Sequence, residues 1–172
     1  MDIKAFFKMT YGLYIVSSRF EDKDCGCIVN TLEQVTAEPI KMAVAISKNN
    51  LTEELIEKSG FFTAVALMQD ADIKLIGHFG FKTGRNIDKF AAYPFARDEN
   101  GVAYLTESVA ARYSMKLIDK LDLGTHVMLI GEAIEAEILS EGEPLTYAYY
   151  QQVKKGTTPK NAPSYHKPSS LK

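Results

Sequence analysis

Lys41-Met42-Ala43-Val44-Ala45-Ile46-Ser47 and, a short stretch later, Phe61-Phe62-Thr63-Ala64-Val65-Ala66-Leu67-Met68 are the runs whose reading decides the fold class of this chain. Each is a brief run of branched and aromatic apolar residues, bounded by Pro39 or Gly60, which is the composition of a buried strand. Between them Asn50 is placed to cap a helix whose third position is Glu53, with Leu51, Leu55 and Ile56 on one face and Gly60 as its stop. The unit is a strand, a short helix and a strand.

Upstream, residues 13–20 form an aromatic and β-branched run after Gly12, and residues 27–30 form another, with the polar Glu21-Asp22-Lys23-Asp24 between them. This is the pattern of a β-hairpin. Downstream, residues 71–77 and 85–90 are expected to form two further short helices. The glycine-bearing segment Gly77-His78-Phe79-Gly80-Phe81-Lys82-Thr83-Gly84 separates them, and such segments often touch ligands. Residues 113–123 and 126–139 hold the longest β-like stretches, joined at Gly124-Thr125, with Met128, Ile130, Ile134 and Ile138 as the alternating apolar positions; they predict a long, bent strand pair. From Thr157 onward Pro, Lys, Ser and Asn dominate, including Pro159, Pro163 and Pro168. Residues 157–172 are therefore expected to be a tail that is extended, exposed or wrapped over a partner, following a single domain over 1–156. Six or seven closely spaced strands with brief helices predict a mainly β protein, a closed or nearly closed antiparallel barrel, because closure removes exposed edges.

Composition narrows the function. A chain of 172 residues suits one core, and 46% hydrophobic with 24% charged residues is ordinary for a soluble globular protein. No apolar run approaches the roughly 20 residues of a membrane helix. A formal charge of -2 and a pI near 5.9 offer no basic surface for nucleic acid. The first residues lack the apolar stretch and cleavage site of a secretory signal, so a cytoplasmic location is expected. Cys25 and Cys27 are one residue apart, a spacing poor for a structural disulfide and two thiolates short of a four-cysteine metal site, and they are read as ordinary reduced thiols. His78, His126 and His166 are far apart and form no paired zinc motif, so no metal is expected.

The stretch Gly26-Cys27-Ile28-Val29-Asn30-Thr31-Leu32-Glu33-Gln34-Val35-Thr36-Ala37-Glu38-Pro39 resembles the flavin-binding signature of the flavin reductase-like family, whose fold is the FMN-binding split barrel, an antiparallel Greek-key barrel. It is followed at family-like spacing by Ala45-Ile46-Ser47-Lys48-Asn49-Asn50-Leu51-Thr52, by Lys58-Ser59-Gly60-Phe61-Phe62 and by residues 79–90. Residues 124–133 resemble the family's Gly-Asp-His segment, with Thr125 where Asp is usual. Residues 149–163 resemble the branch that includes flavoredoxins and the flavin domain of high-molecular-weight rubredoxins. This chain lacks the four cysteines of the rubredoxin iron site, so any relay must come from another protein.

The resemblance implies FMN as cofactor, and the residues suit it. Ser47, Lys48, Asn49, Asn50 and Thr52 gather hydroxyls, amides and a cation at a helix start, where unpaired N–H groups favour a phosphate. Arg85 and Lys89, about one helical turn apart, are expected to face one side and add positive charge. Asn30, Thr31, Gln34, Val35 and Thr36 leave a strand and enter a turn, where backbone groups are free to meet the polar edge of the ring system. Phe79 and Phe81 either cover the ring or its ribityl chain or are simple core residues, and of this segment Phe79 and Gly80 are taken as cofactor-binding positions. His126 is the candidate for contacting the nicotinamide of NAD(P)H, a role the family gives to the histidine of this motif, though Thr125 leaves its orientation to be supplied in another way. Tyr149 and Tyr150 either approach the flavin from a partner subunit or pack the barrel end.

The expected activity is an NAD(P)H-dependent FMN reductase that passes hydride from nicotinamide to flavin N5, with no acid or base required. The alternative is an electron carrier of the flavoredoxin kind, holding FMN tightly and exchanging electrons with a redox partner protein such as a rubredoxin or another flavoprotein. Related split barrels also leave open haem or a pyridoxine phosphate as ligand. A homodimer, with the partner completing the pocket, is implied by the family.

Overall fold

The computed structural model describes residues 1–165. After a 3-10 turn at Ile3–Lys8 capped by Asp2, the expected hairpin forms from β1 (Tyr14–Phe20) and β2 (Lys23–Val29), reversing at Glu21, whose backbone is left-handed. A second hairpin joins β3 (Glu33–Ala37) to β4 (Ile40–Ser47). Next come α1 (Leu51–Ser59), β5 (Phe61–Leu67) and α2 (Ile73–Phe81), then a small hairpin of β6 (Phe95–Arg97) and β7 (Ala103–Leu105). The long pair β8 (Val109–Asp122) and β9 (His126–Ile138) and a final α3 (Tyr147–Gln152) complete the described elements.

Seven strands form one antiparallel sheet in the order β2-β1-β5-β8-β9-β4-β3. Its two edges, β2 and β3, are consecutive in the chain and joined only by Asn30-Thr31-Leu32. So short a link between opposite edges forces the sheet to curl until they nearly meet, which makes the split barrel. Thr31 stands in the gap: its hydroxyl donates to the Ala45 carbonyl at 3.0 Å and accepts from the Ala45 N–H at 3.3 Å.

Both faces of the central strands are covered, which is why they read as nearly continuous apolar runs rather than alternating ones. Inside the barrel Val16, Val29, Val44, Ile46, Phe62, Ala64, Met115 and Leu129 pack with Ile56 of α1. Outside it Ile15, Val65 and Leu67 pack with Leu75, Ile76 and Phe79 of α2, with Leu105, and with Tyr150 of α3. Helix α1 is set as its caps predict: Asn50 Oδ1 accepts the Thr52 N–H at 3.1 Å, and Gly60, at φ 75°, closes it with its N–H on the Ile56 carbonyl.

Four expectations are corrected. Helix α2 runs through Gly77 to Phe81 instead of ending at Gly77; the Cβ of a larger residue there would meet nothing within 4 Å, and the Asp72 carboxylate caps the start. Residues 85–90 are turns rather than a helix. Residues 33–36, read as part of a turn, lie in β3, whose side chains are all exposed and whose alternation a bulge at Val35 interrupts. In β9 the inward positions are Val127, Leu129 and Gly131, not the alternating set starting at Met128; Ile134 and Ile138 are exposed.

Candidate functional site

A cavity of about 630 Å³ opens where the barrel is split, between the end of β2 and the β4–α1 junction. Leu13, Cys27, Val29, Ile46, Ile76 and Phe79 give it an apolar body, while Asn30, Ser47, Asn49, Asn50 and Lys89 bring polar groups to its walls. Residues 82–84, following α2, form one rim, and residues 157–165 cross over as another. An apolar slot with a few polar groups at one end suits a flat ring carrying a charged tail.

The polar end is built around the start of α1. The Asn49 N–H approaches Ser47 Oγ at 3.4 Å, and the Asn50 N–H donates to the Ser47 carbonyl at 2.9 Å, so residues 47–50 turn tightly into the helix. Lys89 lines the same cavity, 3% exposed, its ammonium donating to the Gly26 carbonyl at 2.8 Å and the Phe79 carbonyl at 2.9 Å. Among the described residues no carboxylate pairs with it. Burial lowers its pKa from the ordinary lysine value, opposed by the neighbouring Cys25 and Cys27. Burial also pushes the Cys27 thiol up to about 11, so at neutral pH it is a neutral part of the wall rather than a nucleophile. Both cysteines are free and buried.

Of the residues the sequence singles out, Asn30, Ser47, Asn49, Asn50, Phe79, Gly80 and Lys89 line this cavity. Thr31, Thr52, Gln34, Val35, Thr36, Lys48, Arg85 and His126 do not. Thr31 closes the split, and buried Thr52 donates its hydroxyl to Cys25 Sγ at 3.4 Å, so both support the wall from behind. Gln34 and Thr36 bond locally within the β3 hairpin, and Val35 is exposed. Lys48 pairs with Asp122 at 2.6 Å. Arg85 pairs with Glu54 at the surface. The shared face expected for Arg85 and Lys89 does not exist, because no helix joins them: one points to solvent and the other is buried.

His126 opens β9 just off the cavity wall. The Thr125 hydroxyl donates to its Nδ1 at 2.8 Å and its Nε2–H donates to the Asn161 carbonyl at 3.1 Å, the assignment a carbonyl acceptor requires. Thr125 thus provides the orientation for which the family's usual Asp was missing. His166 lies outside the described residues.

Two groups of wall residues were placed differently or not at all by the sequence. Tyr147, not singled out, and Tyr150, expected to approach the flavin from a partner subunit or to pack the barrel end, line the cavity of their own chain; together with Tyr149 they also pack in the outer core. The three-residue spacing of Tyr147 and Tyr150 behind the Thr146 cap was the available signal. Residues 157–165, expected to be extended, exposed or on a partner, instead fold back over their own barrel, where Asn30 Nδ2 donates to Ser164 Oγ at 2.9 Å. Proline-rich composition indicates an extended chain but not what it lies on; Pro168 is outside the described residues.

Comparison with known proteins agrees with this architecture. The model of the flavin reductase like domain family matches residues 6–157. The high molecular weight rubredoxin of Moorella thermoacetica is 44% identical over 165 residues, covering 96% of this chain and 72% of that protein. The ferric-chelate reductase (NAD(P)H) of Archaeoglobus fulgidus is 39% identical over 165 residues, covering 96% of this chain and 98% of that one. Among solved structures, an FMN-binding protein from Thermus thermophilus superposes with a TM-score of 0.72 at 23% identity, over 80% of this chain and 76% of that chain.

Proposed function

The chain belongs to the flavin reductase like domain family, and from that premise we propose that it is an NAD(P)H-dependent flavin reductase holding FMN in the cavity at the barrel split. The observation that carries the reading is Lys89, a buried ammonium on the wall of a cavity, with no carboxylate partner among the described residues and the start of α1 lining the same cavity. A buried cation left unpaired by the protein is a good match for a ligand that brings an anion. Lys89, Ser47, Asn49 and Asn50 would hold the phosphate, and the apolar walls with Phe79 would desolvate the ring. FMN, when bound, supplies the hydride acceptor. The chain's own task is to orient two flat rings and exclude water, for which no acid, base or metal is needed.

Support for NAD(P)H comes from the 39% identical relative named ferric-chelate reductase (NAD(P)H), which this chain covers almost entirely. A ferric chelate is then one candidate for the final acceptor, and the 44% identical rubredoxin makes a redox partner protein another. The second reading, an electron carrier without pyridine-nucleotide activity, draws on the position of His126: it is off the cavity wall and bonded to Asn161. Anaerobic mixing of the FMN-loaded protein with NADH and with NADPH separates the two. Flavin absorbance bleaches with at least one donor if the protein is a reductase; bleaching with neither leaves the carrier. A protein that takes up no FMN at all refutes both. We also infer a homodimer, supported by the apolar side chains exposed along β8 and β9.

A further inference from the structure

We propose that residues 157–165 are a retaining strap, which makes the flavin a resident group of this protein rather than a substrate that exchanges each turnover. The proposal rests on the flavin reading above and concerns what closes the site. The chain leaves α3 after Gln152 and soon reverses: the Gly156 N–H donates to the Tyr150 carbonyl at 2.9 Å, and Lys155 takes a left-handed backbone. Gly156 then passes flat across the Tyr150 ring, where a Cβ would lie 2.0 Å from Cζ, so a side chain at this position would push the strap away.

From that crossing the strap is tied at successive points around the cavity mouth. Tyr150 Oη donates to the Thr157 carbonyl at 3.0 Å, and the Tyr147 and Thr158 hydroxyls bond each other. Farther along, His126 holds the Asn161 carbonyl and Asn30 holds Ser164. The anchors therefore lie on α3, on β9 and at the end of β2, on opposite sides of the opening, and the intervening residues line the cavity they span.

The bonding is also of the right kind for a movable cover. No residue of 151–165 belongs to either hydrophobic core. Side-chain hydrogen bonds at a surface exchange with water at small net cost, so the strap can open locally while the barrel stays folded. A ligand beneath it leaves only during such openings, which slows release more than it changes the contacts made inside. The Asn161–His126 bond would open with it, uncovering the imidazole for a second ligand.

The test compares FMN release from the whole chain and from a chain ending at Lys155, by loading each with FMN, diluting, and following the recovery of free-flavin fluorescence. The whole chain is expected to release FMN roughly tenfold or more slowly, since a cover acts on the dissociation rate. In the full-length protein Gly156→Ala should speed release, as the truncation does, and Tyr150→Phe, which removes only the hydroxyl on Thr157, should speed it by a smaller factor. These two variants decide the matter if the shortened chain does not fold. Equal release rates in chains that both bind FMN would overturn the strap. Failure of every chain to bind FMN would instead overturn the flavin reading, and the strap proposal with it.

Discussion

A lysine ammonium almost out of contact with solvent and lacking a carboxylate partner among the described residues costs the fold unless something else supplies negative charge. Lys89 is held by two carbonyls, which satisfy its protons but only partly offset its charge. A phosphate at the cavity would complete the balance, and this gives a test that separates phosphate binding from ring binding. Charge-assisted hydrogen bonds are worth about 1.5–3 kcal/mol, so Lys89→Met should weaken FMN binding roughly tenfold to a hundredfold. Riboflavin, with the same ring and no phosphate, should lose little, and fluorescence titration of both ligands reads the ratio. Equal losses would mean that Lys89 serves the wall and not the phosphate. At this scale the sequence was legible where the signal is local: Asn50 as a cap and Gly60 as a stop depend on their own neighbours. It was not legible for Arg85 and Lys89, because nothing near them in the chain says that Glu54 neutralises one while the other is buried.

The strands were readable because their apolar runs are dense, whereas the faces they present were not. In β9 the apolar residues Met128 and Ile130 look like the inward set, yet the register with β8 and β4 turns Val127, Leu129 and Gly131 inward. Gly131 is the reason this frame works. A Cβ there would come within 2.6 Å of Phe62 Cζ and 2.9 Å of Met115 Cβ, so the space a side chain would fill is already taken by Phe62 from the facing strand. Both contacts lie in the barrel core, where neither residue can move into solvent. Gly131→Ala should therefore destabilise by overpacking, by about 1–3 kcal/mol. For a chain of this length that lowers Tm by about 2–4 °C for each kcal/mol. Thermal unfolding followed by circular dichroism checks it, and an unchanged Tm would show that the barrel has room. Helix α2 was cut short in the sequence reading for the opposite reason: Gly77 looked like a stop, but it sits in open space on a helix whose other face is anchored by Leu75, Ile76 and Phe79.

The whole barrel was legible as a class, while its closure depends on which strands pair, and β2 and β3 as opposite edges of one sheet cannot be inferred from local pattern. What the barrel leaves uncovered is as informative as what it closes. β8 is mostly buried through Met115, and its second half is mostly exposed, carrying Ile118 and Leu121, with exposed Leu123 just after it; Ile134 on β9, Val35 on β3 and Ile40 on β4 are exposed as well. The register sets Ile134, Ile40 and Val35 near one another, because Lys41 pairs with Glu132 and Ala37 with Ile40, while Leu121, paired with Met128, lies with Leu123 farther along the sheet. Apolar side chains left exposed on a sheet in this way invite either aggregation or a specific partner. A second copy is the partner that the family resemblance implies, and two copies meeting through the same patch form a closed pair. Light scattering should then give about twice 19.2 kDa for the FMN-loaded protein. Replacing Leu121 and Leu123 together by Glu places two charges in that contact, which a desolvated interface does not tolerate. The double variant should run as a monomer with its secondary structure intact. If the partner completes the pocket, it should also bind FMN more weakly than the wild type. A wild-type monomer saturated with FMN would rule the pairing out. A variant that becomes monomeric yet keeps its affinity would place the whole flavin site within one chain.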